Sequence, residues 1–133
     1  MRTKKRILAV AAILVMTVMA VTAYAVSHNY SGTVQKLINV KLDDGSTRSS
    51  STDSWSLTMN SSSQAPSFTG YLEAQASGTT TWVQVTNEFT IYSGQTKNYV
   101  YGRFIPKKDA TMRMYAKRSD YGPATVSGTV DYK

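Results

Sequence analysis

The chain has 133 residues, no cysteine, one histidine and a formal net charge of +7. The missing cysteines exclude disulfides, thiolate nucleophiles and Cys-ligated zinc, so stability has to come from the core and the sheet ladder. Four of the 15 Lys and Arg residues precede residue 26 and all 8 carboxylates follow it, so residues 26–133 carry 11 − 8 = +3, below what a dedicated nucleic-acid binder carries, and no nucleic-acid partner is expected.

Residues 1–25 read as a secretory signal peptide. Arg2, Lys4, Lys5 and Arg6 form the positive n-region, and Ile7 to Val21 is apolar apart from Thr17. Ala23-Tyr24-Ala25 then supplies the small-x-small cleavage site, Ala23 and Ala25 being the small residues. The competing reading is a membrane anchor left uncleaved, because Ile7 to Tyr24 comes close to the roughly 20 apolar residues of a spanning helix. The position of Ala23 and Ala25 directly after the apolar run favours cleavage after Ala25, a secreted product and only transient contact with the membrane. Residues 26–133 then form one domain of 133 − 25 = 108 residues, long enough to bury about two-thirds of its unfolded surface. A small cysteine-free domain behind a Lys/Arg-rich leader is in the manner of bacterial exports.

Beyond residue 26 the dominant signal is alternation with a period of two. Thr33 to Leu42 places Val34, Ile38, Val40 and Leu42 on one face, and Asp43-Asp44-Gly45-Ser46 is expected to turn the chain. Trp55, Leu57 and Met59 alternate against Ser56 and Thr58. Phe68, Gly70, Leu72, Ala74 and Ala76 point one way, with Thr69, Tyr71, Glu73 and Gln75 the other. Trp82 opposes Val83 and Val85 in the next short run. Phe89 to Ile105 reads as a β-hairpin about Ser93-Gly94-Gln95-Thr96, with Val100, Gly102 and Phe104 inward and Tyr99, Tyr101 and Arg103 outward. Met112, Met114 and Ala116 alternate with Arg113, Tyr115 and Lys117, and Val126, Gly128, Val130 and Tyr132 share a face of the last strand. About eight short strands with turn chemistry between them predict an all-β fold, a single antiparallel, jelly-roll-like β-sandwich.

Two features bear on topology. Ser-Gly-Thr-Val occurs at residues 31–34 and again at 127–130, which suggests neighbouring first and last strands with glycines at a close backbone approach. Residues 45–69 hold 14 Ser or Thr in 25, a surface-like composition whose middle is anchored by Trp55, Leu57 and Met59.

The chemistry points away from catalysis. A Ser-His-carboxylate triad would have to recruit His28, which is expected at a frayed terminus. Glu73 and Glu88 are read as solvated carboxylates rather than a glycosidase pair. Asp43, Asp44 and Asp53 lack a full calcium loop with its closing glutamate, so neither metal nor cofactor is expected. Asn29-Tyr30-Ser31 and Asn60-Ser61-Ser62 match the glycosylation sequon, which matters only in a host that reads it.

What stands out is tyrosine beside cations. Lys97 to Arg118 contains seven Lys and Arg against the lone carboxylate Asp109. If the strands carrying them are neighbours, Tyr99, Tyr101, Arg103, Arg113, Tyr115 and Lys117 form one ligand-binding face. Aromatic rings stack on sugars and cations attract phosphate or carboxylate. The expected function is therefore a non-catalytic secreted module binding cell-wall polymer, carbohydrate or another anionic polymer of the envelope. The alternatives are a secreted bacteriocin-like antagonist and a structural or assembling envelope protein that adds strands at its edges.

Overall fold

The alternating pattern resolves into nine strands in the computed structural model, which describes residues 26–102, 104–118 and 122–133. The expected leader with Ala23 and Ala25 lies outside the described residues, as does Arg103. The strands are β1 (Ser27–Val34), β2 (Val40–Thr47), β3 (Ser54–Met59), β4 (Ser67–Gln75), β5 (Trp82–Gln84), β6 (Phe89–Tyr92), β7 (Thr96–Val100), β8 (Thr111–Lys117) and β9 (Ala124–Asp131). All named pairings are antiparallel. A four-stranded sheet has the order β1-β9-β3-β7, and a five-stranded sheet has the order β2-β8-β4-β5 with β6 also on β4. The fold is an all-β, two-sheet antiparallel sandwich.

Every connection except β4–β5 and β5–β6 passes from one sheet to the other. Strands adjacent in sequence therefore seldom pair, and their inward faces meet across the core instead. Trp55, Leu57 and Met59 of β3, Phe68 and Leu72 of β4, Met112 and Met114 of β8, and Val126 and Val130 of β9 are all essentially inaccessible. Burying each such side chain contributes about 1.5–3 kcal/mol. Trp55 sits at the centre of the aromatic part of the core. It stacks on Tyr99 at 4.6 Å between centroids and meets Phe89 edge-on at 4.9 Å.

One expected strand and two expected turns differ. The run 33–42 is not one strand: the chain reverses at Gln35–Ile38, where Leu37 takes a left-handed φ of 59°. Val34 closes β1 in one sheet and Leu42 belongs to β2 in the other, leaving Ile38 exposed. Asp43-Asp44-Gly45-Ser46 does not turn the chain but stays within β2, whose pairing with β8 shifts register on either side of Asp43-Asp44. Gly45, at φ 81°, absorbs the extra length as a bulge. The third difference is the expected hairpin at Ser93–Thr96. β6 pairs with β4 and β7 with β3, so the turn bridges the two sheets. Its ends are tied by Ser93 N–H to Pro66 O at 2.8 Å and Gly94 N–H to Met59 O at 3.0 Å.

β1 and β9 pair along their whole length, with Ser31 opposite Ser127, so the repeated Ser-Gly-Thr-Val segments are neighbours. A Cβ on Gly128 would overlap the Thr58 carbonyl, and one on Gly32 would lie 2.7 Å from Leu42 Cδ2. Both glycines mark close approaches. His28 is not frayed: it pairs with Val130 in β1, and its ring lies 5.8 Å from that of Tyr132.

Candidate binding face

β8 is flanked by β2 and β4, and its alternation sends Met112, Met114 and Ala116 into the core. Arg113, Tyr115 and Lys117 therefore project from the outer surface of the five-stranded sheet. β4 runs beside it in a register that sets Tyr71 opposite Tyr115, Glu73 opposite Arg113 and Thr69 opposite Lys117. On the far side of β4, Gln84 pairs with Glu73 and Trp82 with Gln75. One surface thus collects residues from three strands, two of them close in sequence and the third, β8, about 30 to 50 positions further along the chain.

These side chains stack into a ladder. The Tyr71 and Tyr115 rings are 5.3 Å apart and only 18° from parallel. The Arg113 guanidinium carbon lies 5.1 Å from the Tyr115 ring centre and 3.9 Å from that of Trp82. Trp82, Arg113, Tyr115 and Tyr71 form a continuous row of flat groups, all half-buried. Burial pushes the Tyr71 phenol above its ordinary pKa, and the Glu73 carboxylate adds to that, so it remains a neutral donor at physiological pH.

The charges on this face cancel in pairs. Arg113 Nε and Nη2 both donate to Glu73 Oε2, at 2.6 and 2.5 Å. Lys117 Nζ donates to Glu88 Oε1 at 2.7 Å. Glu73 and Glu88 are therefore counter-ions to these cations; Glu88 keeps about half of its side chain in water, whereas Glu73 is more enclosed. What remains for a ligand is flat, polarisable surface with amide and phenol edges from Gln75, Gln84, Tyr71 and Tyr115.

Tyr99 and Tyr101 are not on this face. β7 is the edge of the other sheet and does not neighbour β8. The expected phase is also reversed there: Tyr101 is 7% exposed, whereas Val100 and Phe104 are 67% and 63% exposed. The physical reason is size together with available acceptors. Two phenol rings bury far more apolar area than Val100 and Gly102 could, and each hydroxyl finds a carbonyl. Tyr99 donates to Thr90 O at 3.2 Å and Tyr101 to Tyr132 O at 2.8 Å. Arg48, fully buried, lies over the Tyr101 ring at 4.8 Å. Burial drives the Tyr101 pKa up to about 12, with the Arg48 charge opposing the rise.

The predicted site thus divides. Arg113, Tyr115 and Lys117 come together on the outer face, Tyr99 and Tyr101 serve the interior, and Arg103 is not among the described residues. Sequence reasoning missed Tyr71, Trp82, Glu73 and Glu88 as members of the face. The outward phase of Tyr71 and Glu73 was readable, and Trp82 was set opposite Val83 and Val85, but the β4–β8 and β4–β5 pairings that assemble them were not. Among the described residues, no group of three or more His, Asp or Glu side chains is placed to hold a metal ion. No family model, curated protein or solved structure matches this chain, and the functional reading rests on the chemistry of the face itself.

Proposed function

We propose that this is a secreted, non-catalytic protein that binds a glycan of the cell envelope on the outer face of its five-stranded sheet. The observation that carries the reading is the Trp82–Arg113–Tyr115–Tyr71 ladder, which lies on a solvent-facing surface rather than in the core. Flat aromatic surface suits the apolar faces of sugar rings, and the surrounding amide and phenol groups suit their hydroxyls. The internal pairing of Arg113 with Glu73 and of Lys117 with Glu88 narrows the ligand. A face whose charges are already balanced favours stacking on neutral sugar over capture of an anionic polymer by net positive charge.

The test is co-sedimentation of the protein with isolated cell walls, with and without their anionic polymers, across a salt series. The expected result is retention that survives both high salt and removal of the anionic polymers. Trp82→Ala should weaken it about tenfold, a loss of about 1.4 kcal/mol. Retention that collapses with salt, or is untouched by a Trp82→Ala/Tyr71→Ala double substitution, would remove this reading.

A further inference from the structure

The five-stranded sheet carries a second feature, at the end of β4 where its inner face runs out of large side chains. The inward positions of β4 begin with Phe68 and Leu72 but finish with Ala74, and Ala76 follows the strand. Ala110, just before β8, is equally small. The result is an open cleft of about 380 Å³. Its floor is Ala74, Val85, Pro106 and Ala110, all buried. Its rim is Val83, Phe104 and Ile105, which are 44%, 63% and 56% exposed. Large apolar side chains left in water beside an apolar cleft mark a site for something that covers them.

The lining is almost wholly carbon, and its only charged member is Lys107. Lys107 takes part in none of the ion pairs among the described residues, and Lys108 follows it in the chain. A sugar or a peptide backbone would strand its polar groups against such a surface. An aliphatic chain would not, and a negative head group at its end would meet the ammonium at the lip. The volume lies near the lower end of the roughly 300–1,000 Å³ of small-molecule pockets, the size for a single chain.

We propose that this cleft binds one acyl chain of a monomeric anionic amphiphile, with the chain between Ala74, Val85, Ala110 and Phe104 and the head group at Lys107. The site is separate from the glycan face and does not rest on that reading. Phe104 and Ile105 then act as a clamp whose exposed apolar surface is covered when the ligand is in place.

The experiment is calorimetric titration of the full chain with dodecanoate below its micelle concentration, with dodecyltrimethylammonium as a control of equal chain length and opposite charge. Saturable binding of one dodecanoate per chain is expected. Ala76→Phe, which fills the cleft from an exposed position, should weaken it about tenfold or more. Val83→Asp, on the exposed rim, should do the same by making the lip polar and negative, and thermal melts of both variants establish that they fold. Lys107→Glu should weaken dodecanoate by about three- to tenfold while leaving dodecyltrimethylammonium no weaker. Absence of saturable dodecanoate binding, or binding indifferent to both Ala76→Phe and Val83→Asp, overturns the proposal. So does adsorption to anionic phosphatidylglycerol vesicles without uptake of the monomer, because the apolar rim would then face a bilayer.

Discussion

Arg113 is held between two chemically different neighbours: its guanidinium carbon is 3.9 Å from the Trp82 ring centre, while Nε and Nη2 converge on one oxygen of Glu73. Each contact depends on the planar group. Lysine keeps the charge but neither stacks as a plane nor presents two parallel donors. Arg113→Lys should therefore lower stability by about 1–2 kcal/mol, a modest figure because the pair keeps some access to water. The readout is the urea midpoint followed by fluorescence of Trp55, with Trp82 replaced by Phe in both reference and variant. Since Trp82→Phe keeps a ring at that position, an unchanged midpoint would mean that neither the planar stack nor the second donor to Glu73 contributes to the fold.

Gly128 faces the backbone of β3 so closely that a methyl group would overlap the Thr58 carbonyl oxygen. The same oxygen accepts the Tyr30 hydroxyl at 2.8 Å across the strand. Gly128→Ala must push β3 and β9 apart or displace the Tyr30 bond, and should cost more than about 3 kcal/mol. Gly78→Ala is the control: its φ of 79° is strained for alanine, but nothing lies within 4 Å of the added carbon. It should cost only about 1–2 kcal/mol. Thermal melts of the two variants check the ordering.

How much of this was legible beforehand follows the range of the interaction. The inward phases of Trp55-Leu57-Met59, Phe68-Leu72-Ala74 and Met112-Met114-Ala116 were readable, because alternation is local and each run sets apolar or small residues at every second position against more polar ones. The pairing of β1 with β9 was readable through its repeated Ser-Gly-Thr-Val. The sheet exchange at Ser93–Thr96 was not, since a turn sequence specifies a reversal but not whether the arms pair with each other or with β3 and β4. Tyr99 and Tyr101 misled for a related reason. A tyrosine is amphipathic, and whether its hydroxyl meets water or the Thr90 and Tyr132 carbonyls is decided by distant backbone. The face met the same limit: Tyr71 and Tyr115 are 44 positions apart and become neighbours only through the β4–β8 register.

Arg48 is a fully buried cation whose acceptors are main-chain carbonyls: Nε donates to Tyr132 O at 3.0 Å, Nη1 to Pro106 O and Nη2 to Thr52 O. It pins the C-terminal segment and two loops to one point. Arg48→Ala leaves all three carbonyls without that donor and should cost about 3 kcal/mol or more. Arg48→Lys keeps the charge but cannot span three directions, and should fall between alanine and the parent. Chemical denaturation of the three proteins gives the ranking. An alanine variant as stable as the parent would show that water satisfies these carbonyls equally well.

Tyr101 links the same region to pH. Its phenol is buried, donates to Tyr132 O at 2.8 Å, and titrates near 12 rather than at its ordinary 10. The folded state thus holds this proton more tightly than the unfolded state does. The associated stability is fully present below pH 10 and is lost as the pH rises through the folded value, amounting to about 2–3 kcal/mol when complete. Burial raises Tyr30 and Tyr132 in the same direction, so the protein should unfold steeply in alkali. Tyr101→Phe separates the contributions. At pH 7 it should be about 1 kcal/mol less stable, having lost one buried hydrogen bond. Between pH 10 and 12 its stability should fall less steeply, by about one proton's worth of slope. Urea midpoints of both proteins from pH 7 to 12 measure the two effects together. Parallel curves across that range would mean that Tyr101 ionises in the folded protein as readily as in the open chain.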